Sequence, residues 1–474
     1  MTENDLPRSS PEEQGLPSAA IEALVDRLEN EGLEPHSLMI IRHGHVVAEA
    51  WWTPYHRDGV QLLYSLSKSF TSTAVGLAVG EGRFAVTDRI AEWFPDAAAD
   101  AGPRAQSLTV HQVLSMSTGH RSDSLAPMFP RPDAVEAAFF GYEPEEPPGT
   151  WFVYDNGATF MAGALVQQRT GERLVDYLRP RLFDPLGIGR AAWQQLPDGR
   201  DVGFSGLHLS TEAIGRFGLL MLDDGVWRGE RLLPAGWVAQ ATSSLVDNST
   251  NDGDVDWRQG YGYQFWQCRH GAVRGDGAFG QFCILLPDHD AVVVITAATE
   301  RMQAELDAVW EVLLPAFASG PLPSDAEAAG RLTRRLAEVE VRPWSGTAVP
   351  AEPGPWRFDH EPTEENPALT GLTVSSGGSS SESSAETGAD GFTLTIDDGD
   401  TFVVQGRTGG WPEVTGPYLA SGGWTDPDTF EALVVAVETP HHLRLRGRLS
   451  TGTLEASWNV TPLRWRSLAD LAAE

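Results

Sequence analysis

The chain has 474 residues, 41% hydrophobic and 21% charged, a composition that excludes a disordered polymer and allows a large core with more than one domain. A formal net charge of −32 excludes the basic surfaces that bind nucleic acid or anionic membranes. No apolar run approaches the roughly 20 residues of a bilayer-spanning helix, and two cysteines are too few for a disulfide scaffold.

In chain order, MTENDLPRSSPEEQGLPS lacks a basic stretch followed by an apolar one, so a cytoplasmic location is expected. Residues 19–31 read as a helix with Ser18 as its N-cap. The run SLMIIRHGHVVAEAWW gives two β-rich segments around His43-Gly44, a hairpin signal; His43 and His45 are read as turn residues, not a metal pair. A helix follows Ser65. Short helices and loops fill the middle, LTVHQVLSMSTG and STEAIGRFGLLMLDDG among them. Strands return at GYGYQFWQC, GAFGQFCILLP and AVVVITAA, and a helix over RMQAELDAVWEVLLPAF closes the unit. Cys268 and Cys283 flank the hairpin-like part of this stretch, where buried free thiols are expected over a bridge.

Strands from both ends with helices between predict an α/β (α+β) domain over residues 1–320. Its antiparallel sheet forms from the two ends of the unit, and a helical subdomain faces it. Residues 321–345, a charged helical stretch ending near Pro343, read as a connector. Residues 346–474 turn to β pattern: GFTLTI, TFVVQG, FEALVVAVE, HHLRLRGRL and TLEASWNV, separated by Gly, Asp and Pro, predict an antiparallel sandwich or barrel. Residues 373–391 are Ser/Gly-rich and predict a disordered loop. His441 and His442 are adjacent on a strand and face opposite sides, which argues against a shared metal.

One basic residue differs in kind. Of 34 Lys and Arg residues, 33 are arginine and one is Lys68. Arginine stays charged in proteins, whereas an amine can give up its proton. Lys68 stands three residues after Ser65 in SLSK, so on a helix the two share a face. Ser65 falls at the helix start, where free N–H groups and the dipole favour negative charge. A serine hydroxyl attacks only after a base takes its proton, and lysine is that base only if its reference pKa of about 10.4 is lowered. Ser67, Ser69 and Ser72 are rival hydroxyls, read as helix filler with local backbone bonds. Tyr154 in YDN adds a hydroxyl that ionises more easily beside a lysine cation and relays protons, and Asn156 can orient the lysine or bind a substrate carbonyl. Trp151, Phe152 and Tyr154 also fit an aromatic core patch.

Together these boxes resemble the serine β-lactamase and penicillin-binding protein superfamily, on its class C-like branch with DD-peptidases, esterases and 6-aminohexanoate-dimer hydrolase. The resemblance spans roughly residues 10–315 and rests on YSLSKSFTSTAVG, YDNGATFMAGALVQQRTG, LTVHQVLSMSTG, GLHLSTEAIGRFGLLMLDDGVWRG and RGDGAFGQFCILLPDHDAVVVIT. It implies Ser65 as nucleophile, Lys68 as its proton acceptor, Tyr154 as acid/base partner and Asn156 as a pocket residue. The family's third box, Lys or His–any–Gly, aligns at Gly275-Asp276-Gly277, without its basic member. Gly275 and Gly277 are then expected to edge the substrate pocket, with the N–H groups of Ser65 and Ala278 as oxyanion hole. Asp276 is expected to point away as surface charge, and Arg274 is an alternative cation.

The expected function is two-step hydrolysis of a small ester or amide through a Ser65 acyl-enzyme, neutral substrates being favoured over β-lactams because the cation is missing. Alternatives are a β-lactamase or D-amino-acid-specific peptidase, and a non-catalytic penicillin-binding-like sensor. No metal or organic cofactor, nucleic acid or membrane is expected to take part. The β-rich C-terminal part resembles the accessory domains found beside some such hydrolases.

Overall fold

The computed structural model describes residues 5–128, 134–376, 390–464 and 466–472. Helix α1 (Ser18–Asn30) precedes the hairpin β1 (Pro35–Arg42) and β2 (His45–Trp51), which turns at His43-Gly44 as expected. Four more strands come from far along the chain: β3 (Trp266–Gln267), β4 (Val273–Gly277), β5 (Gln281–Leu286) and β6 (Ala291–Ala297). They form one antiparallel sheet in the order β2-β1-β6-β5-β4-β3. Both faces are covered, so the central strands read as continuous apolar runs. Alternation still sorts them: Met39, Ile41, Cys283, Val292 and Val294 pack toward the helical half, and Leu38, Ile40, Ile284, Val293 and Ile295 toward α1. Cys268 and Cys283 are buried free thiols.

The helical half centres on α2 (Ser67–Gly80) and α3 (Asn156–Thr170), with α4 (Thr211–Leu222) lying on the sheet. Helix α5 (Met302–Ala308) follows the last strand. Ser18 is not an N-cap but the first helical residue, after Pro17; the Glu12 carboxylate accepts from its N–H at 2.7 Å. The expected connector is also firmer than a linker. Within it α6 (Ala326–Ala337) buries Ala328 and Leu332, and Arg335 reaches Asp26 and Glu29 on α1.

Eight strands then close a barrel: β7 (Trp356–Asp359), β8 (Leu369–Ser376), β9 (Gly391–Asp398), β10 (Asp400–Arg407), β11 (Tyr418–Trp424), β12 (Thr429–Ala436), β13 (His442–Arg448) and β14 (Thr453–Trp458). Neighbours are antiparallel except β10–β11 and the closing pair β7–β14, which are parallel. Three of these strands, β7, β8 and β11, carry weak patterns and were not expected from the sequence. The Ser/Gly-rich segment is strand at its ends, 373–376 and 391; residues 377–389 lie outside the described residues.

Strand alternation gives the barrel two apolar faces. Ala432, Val434 and Ala436 fill its interior, while Leu433, Val435, Leu419 and Val437 pack outward with Trp52 and Tyr55 of the first unit and Leu332 of α6. Polar contacts lock the same seam: Gln61 Nε2 donates to Val437 O (2.7 Å) and Leu62 N to Glu438 O (2.7 Å).

Candidate active site

Ser65 sits in a 3₁₀ turn, Tyr64–Leu66, that runs into α2. Tyr64 has φ 47°, a left-handed conformation uncommon for a bulky residue and worth a functional reading. Its buried hydroxyl is anchored 2.5 Å from His441 Nε2 of the barrel. The start of α2 then grips one loop through three side chains. Leu207 N donates to Ser67 Oγ (3.0 Å), Lys68 Nζ donates to Phe204 O (2.8 Å), and Thr71 Oγ1 donates to Gly203 O (2.7 Å). The rival hydroxyls are thereby turned from the pocket: Ser67 is used by this loop, Ser69 donates to Gln264 O, and Ser72 is buried.

Lys68 Nζ also lies 2.8 Å from Ser65 Oγ. Burial pushes the amine down to about 7, against the opposing pull of Asp123 and Asp276, and the Arg464 guanidinium adds to the lowering. A neutral amine has two hydrogens and one lone pair. With a hydrogen on the Phe204 carbonyl, the lone pair can face the serine hydroxyl.

The Tyr154 ring lies beneath this amine, its centroid 4.8 Å from Nζ, and stacks on Trp266 at 5.3 Å. Burial pushes its hydroxyl far up and the Asp276 charge acts in the same sense, while hydrogen bonding to Ser65 pulls back. The expectation of easier ionisation beside a lysine is therefore reversed, because burial dominates. Tyr154 keeps its proton and can donate it. The aromatic-patch reading holds as well, since Phe152, Tyr154, Tyr261 and Trp266 pack as one cluster.

Asn156 opens α3, and its side chain and N–H both bond the Asp123 carboxylate, at 2.6 and 2.9 Å. Asp155 caps the helix and pairs with buried His120 at 3.3 Å. Gly277 lies against the nucleophile turn, where a Cβ would overlap the Leu63 carbonyl oxygen, so the Ala278 peptide follows directly beside that turn. Gly275 requires a correction. Its missing side chain would point at Ser69 Oγ (2.5 Å) and Leu66 Cδ1 (2.6 Å), toward α2, and Gly275 is not among the residues that line the pocket at Ser65.

Asp276 is likewise not surface charge. It is buried and accepts from Trp266 Nε1 and Arg274 Nε, both at 3.0 Å. Arg274 is no replacement cation in the pocket, being fully buried over Trp257, with Nε donating to Asp276 and Nη1 to Asp256 O and Cys268 Sγ.

A second basic group in the pocket comes from the other end of the chain. A pocket with about 80 Å³ of free space is lined by Ser65, Asn156, Phe204 and Ser205 from the first unit and by Leu463, Arg464 and Leu471 from the segment after the barrel. The Arg464 guanidinium lies 4.9 Å from the Phe204 ring, and burial pushes it down to about 10. Asp123, Phe204 and Arg464 were all missed by sequence reasoning. They sit in no motif, and only the fold brings them to Ser65.

An antiparallel sheet, a helical half and, at their junction, a half-buried serine against a buried lysine define a serine hydrolase. The family model described as Beta-lactamase matches residues 12–347, and the chain belongs to this family. It is similar to the 6-aminohexanoate-dimer hydrolase of Paenarthrobacter ureafaciens, 27% identical over 60% of this chain and 80% of that protein. It is also similar to the lovastatin esterase of Penicillium rubens, 28% identical over 28% of this chain and 40% of that one. Among solved structures, SurE with D-Leu covers 91% of this chain and 93% of its own at a TM-score of 0.51 and 18% identity, a likeness of fold that extends through the barrel.

Proposed function

We propose that the protein hydrolyses an ester or amide by acyl transfer through Ser65. The observation that carries this reading is the buried lysine amine, lowered to about 7, at 2.8 Å from the serine hydroxyl. Neutral Lys68 takes the Ser65 proton as Oγ attacks the carbonyl carbon. The N–H groups of Ser65 and Ala278 receive the oxyanion. As the tetrahedral intermediate collapses, the scissile C–O or C–N bond breaks and Tyr154 supplies the proton to the leaving group, with Lys68 replenishing it. Water then enters by the reverse relay and frees the acid. The kinship with an aminohexanoate-dimer hydrolase and an esterase supports this substrate class. Small neutral substrates belong to this reading, because Gly275 stands where the family's third box carries a basic residue.

A second reading is favoured by one observation, the Arg464 guanidinium in the same pocket as Ser65. It fits a substrate with a carboxylate near the scissile bond, as in a β-lactam or a peptide C-terminus. A cytoplasmic location belongs to the proposal and is supported by the two unbridged thiols, which suit a reducing compartment. Among the described residues no helix is long and apolar enough to cross a membrane.

Intact-mass analysis after a fluorophosphonate probe tests the reading. One adduct on Ser65 is expected, and labelling at another serine overturns it. Release of acid from a chromogenic ester or amide by the wild type, and its loss on labelling, separates turnover from a sensor that acylates once.

A further inference from the structure

At the seam between sheet and barrel, three side chains converge that acyl transfer does not use. Glu34 and His36 stand at the start of β1, and His442 opens β13. His442 Nδ1 lies 3.1 Å from Glu34 Oε1, and His36 Nε2 lies 3.8 Å from the same oxygen. One ligand atom from each residue falls within 4.8 Å of the other two. The His36 ring is fully buried. Neither of its nitrogens has a hydrogen-bond partner of ordinary geometry among the described residues, although the Gln61 amide lies close enough to be felt. Buried polar atoms are nearly always satisfied, so an idle buried imidazole points to a missing partner. Glu34 itself has φ 46°, a left-handed conformation that few non-glycine residues adopt.

The proton count around His442 points the same way. The Tyr55 hydroxyl lies 2.9 Å from His442 Nε2 and 3.2 Å from Thr439 O, and it has one hydrogen. If His442 carries its proton on Nδ1, it donates to Glu34, but Tyr55 then faces two acceptors and leaves one unserved. If the proton is on Nε2, His442 donates to Tyr55 and Tyr55 to Thr439, and both of these contacts are satisfied. That tautomer leaves the Nδ1 lone pair facing the Glu34 carboxylate, a repulsive contact that a cation between them turns into ligation.

We propose that Glu34, His36 and His442 bind one divalent transition-metal ion, zinc foremost, that staples the start of β1 to the barrel. Two imidazoles and a carboxylate are a zinc donor set with one position left for water. Tetrahedral zinc with bonds of about 2.0–2.1 Å sets neighbouring donors about 3.4 Å apart. Separations of 3.1 and 3.8 Å to the carboxylate oxygen bracket that value, and the two imidazoles, whose ligand atoms lie within 4.8 Å of each other, must draw together to share one ion. Tyr55 serves as the outer hydrogen-bond partner that fixes the His442 tautomer, and its ring stacks on His36 at 3.8 Å. Asn459 Nδ2 donates to Glu34 Oε1 at 3.2 Å and orients the carboxylate. Glu34 is partly exposed, which gives the ion an entry from solvent.

The test uses the full chain freed of metal with a chelator. Calorimetric titration with Zn²⁺ is expected to give one equivalent and a raised Tm, and Co²⁺ to give the visible absorption of a four-coordinate site. His36→Gln and His442→Gln are each expected to abolish that equivalent and the Tm rise, and Tyr55→Phe to weaken binding about 10–100-fold. A wild type that takes up no stoichiometric metal overturns the proposal, as do folded ligand variants that bind as before. If the ligand variants do not fold, X-ray absorption of the zinc-loaded wild type decides. A shell with two imidazoles supports the site, and a shell without them overturns it.

Discussion

The amine of Lys68 is held at 2.8 Å from both the Ser65 hydroxyl and the Phe204 carbonyl. The second contact fixes the first. A lysine side chain is flexible, and the Phe204 carbonyl together with burial leaves the amine one orientation, with its lone-pair side toward the serine.

Ser65→Ala is expected to lower kcat by at least about 10³-fold and Lys68→Ala by about 10²–10⁴-fold, with circular dichroism unchanged. Because Lys68 is the single lysine, amine acylation has only this side chain and the N-terminus as targets. Loss of activity should track its modification by mass, and full modification with surviving turnover would remove the lysine from the mechanism.

The pH profile follows from the amine. Lys68 is lowered to about 7 from 10.5, so kcat/KM is expected to rise with pH through about 7 as the base loses its proton. Tyr154 is raised, so no falling limb from it is expected below pH 10. Stability carries the same sign. Between about 7 and 10.5 the unfolded chain holds a proton the folded chain lacks, so Lys68 contributes stability that rises with pH across that window. Removing the Arg464 charge should shift the activity limb upward, since that charge helps to depress the amine.

Substrate charge is the next measurement. If the pocket grips an anion, Arg464→Ala should lower kcat/KM for penicillins or carboxylate-bearing esters about tenfold to a hundredfold, the worth of a charge-assisted hydrogen bond of about 1.5–3 kcal/mol. Short neutral esters, assayed above the shifted limb, should change far less. Neutral esters that outrun penicillins in the wild type support the first reading. Efficient cephalosporin hydrolysis with negligible esterase activity would establish the second.

Gly277→Ala tests the close approach at the nucleophile turn. A Cβ there overlaps the Leu63 carbonyl and displaces Ser65, so kcat should fall and stability drop by about 1–3 kcal/mol, the usual cost of overpacking. Thermal unfolding and steady-state kinetics check both.

A chain ended near residue 320 is expected to be poorly soluble and weakly active. It would expose Trp52 and Tyr55 at the seam and remove Arg464, Leu463 and Leu471 from the pocket wall. A soluble, fully active truncation would show that the barrel and tail are dispensable.

The sequence by itself determined a good deal. Apolar runs around His43-Gly44 and at 281–297, a helix after Ser65 and alternation in residues 391–448 are local patterns, and local sterics with burial turn them into elements. The serine–lysine spacing is legible for the same reason, since three residues on a helix always share a face. What tertiary structure alone decided lies in pairs far apart in the chain. Strands β7, β8 and β11 have weak patterns of their own and take their conformation from barrel neighbours. Gly275 reads as a pocket position until β4 is seen to lie on α2, Asp276 reads as surface charge and Arg274 as an alternative pocket cation until the two are seen to pair in the interior beside Trp266. Arg464 carries no local signal, yet docking of the barrel brings it to Ser65. Side-chain direction and burial depend on which segments meet, and burial is what lowers Lys68 and raises Tyr154. The chemistry of the site could be named from its residue types, but its protonation states were set by the fold around them.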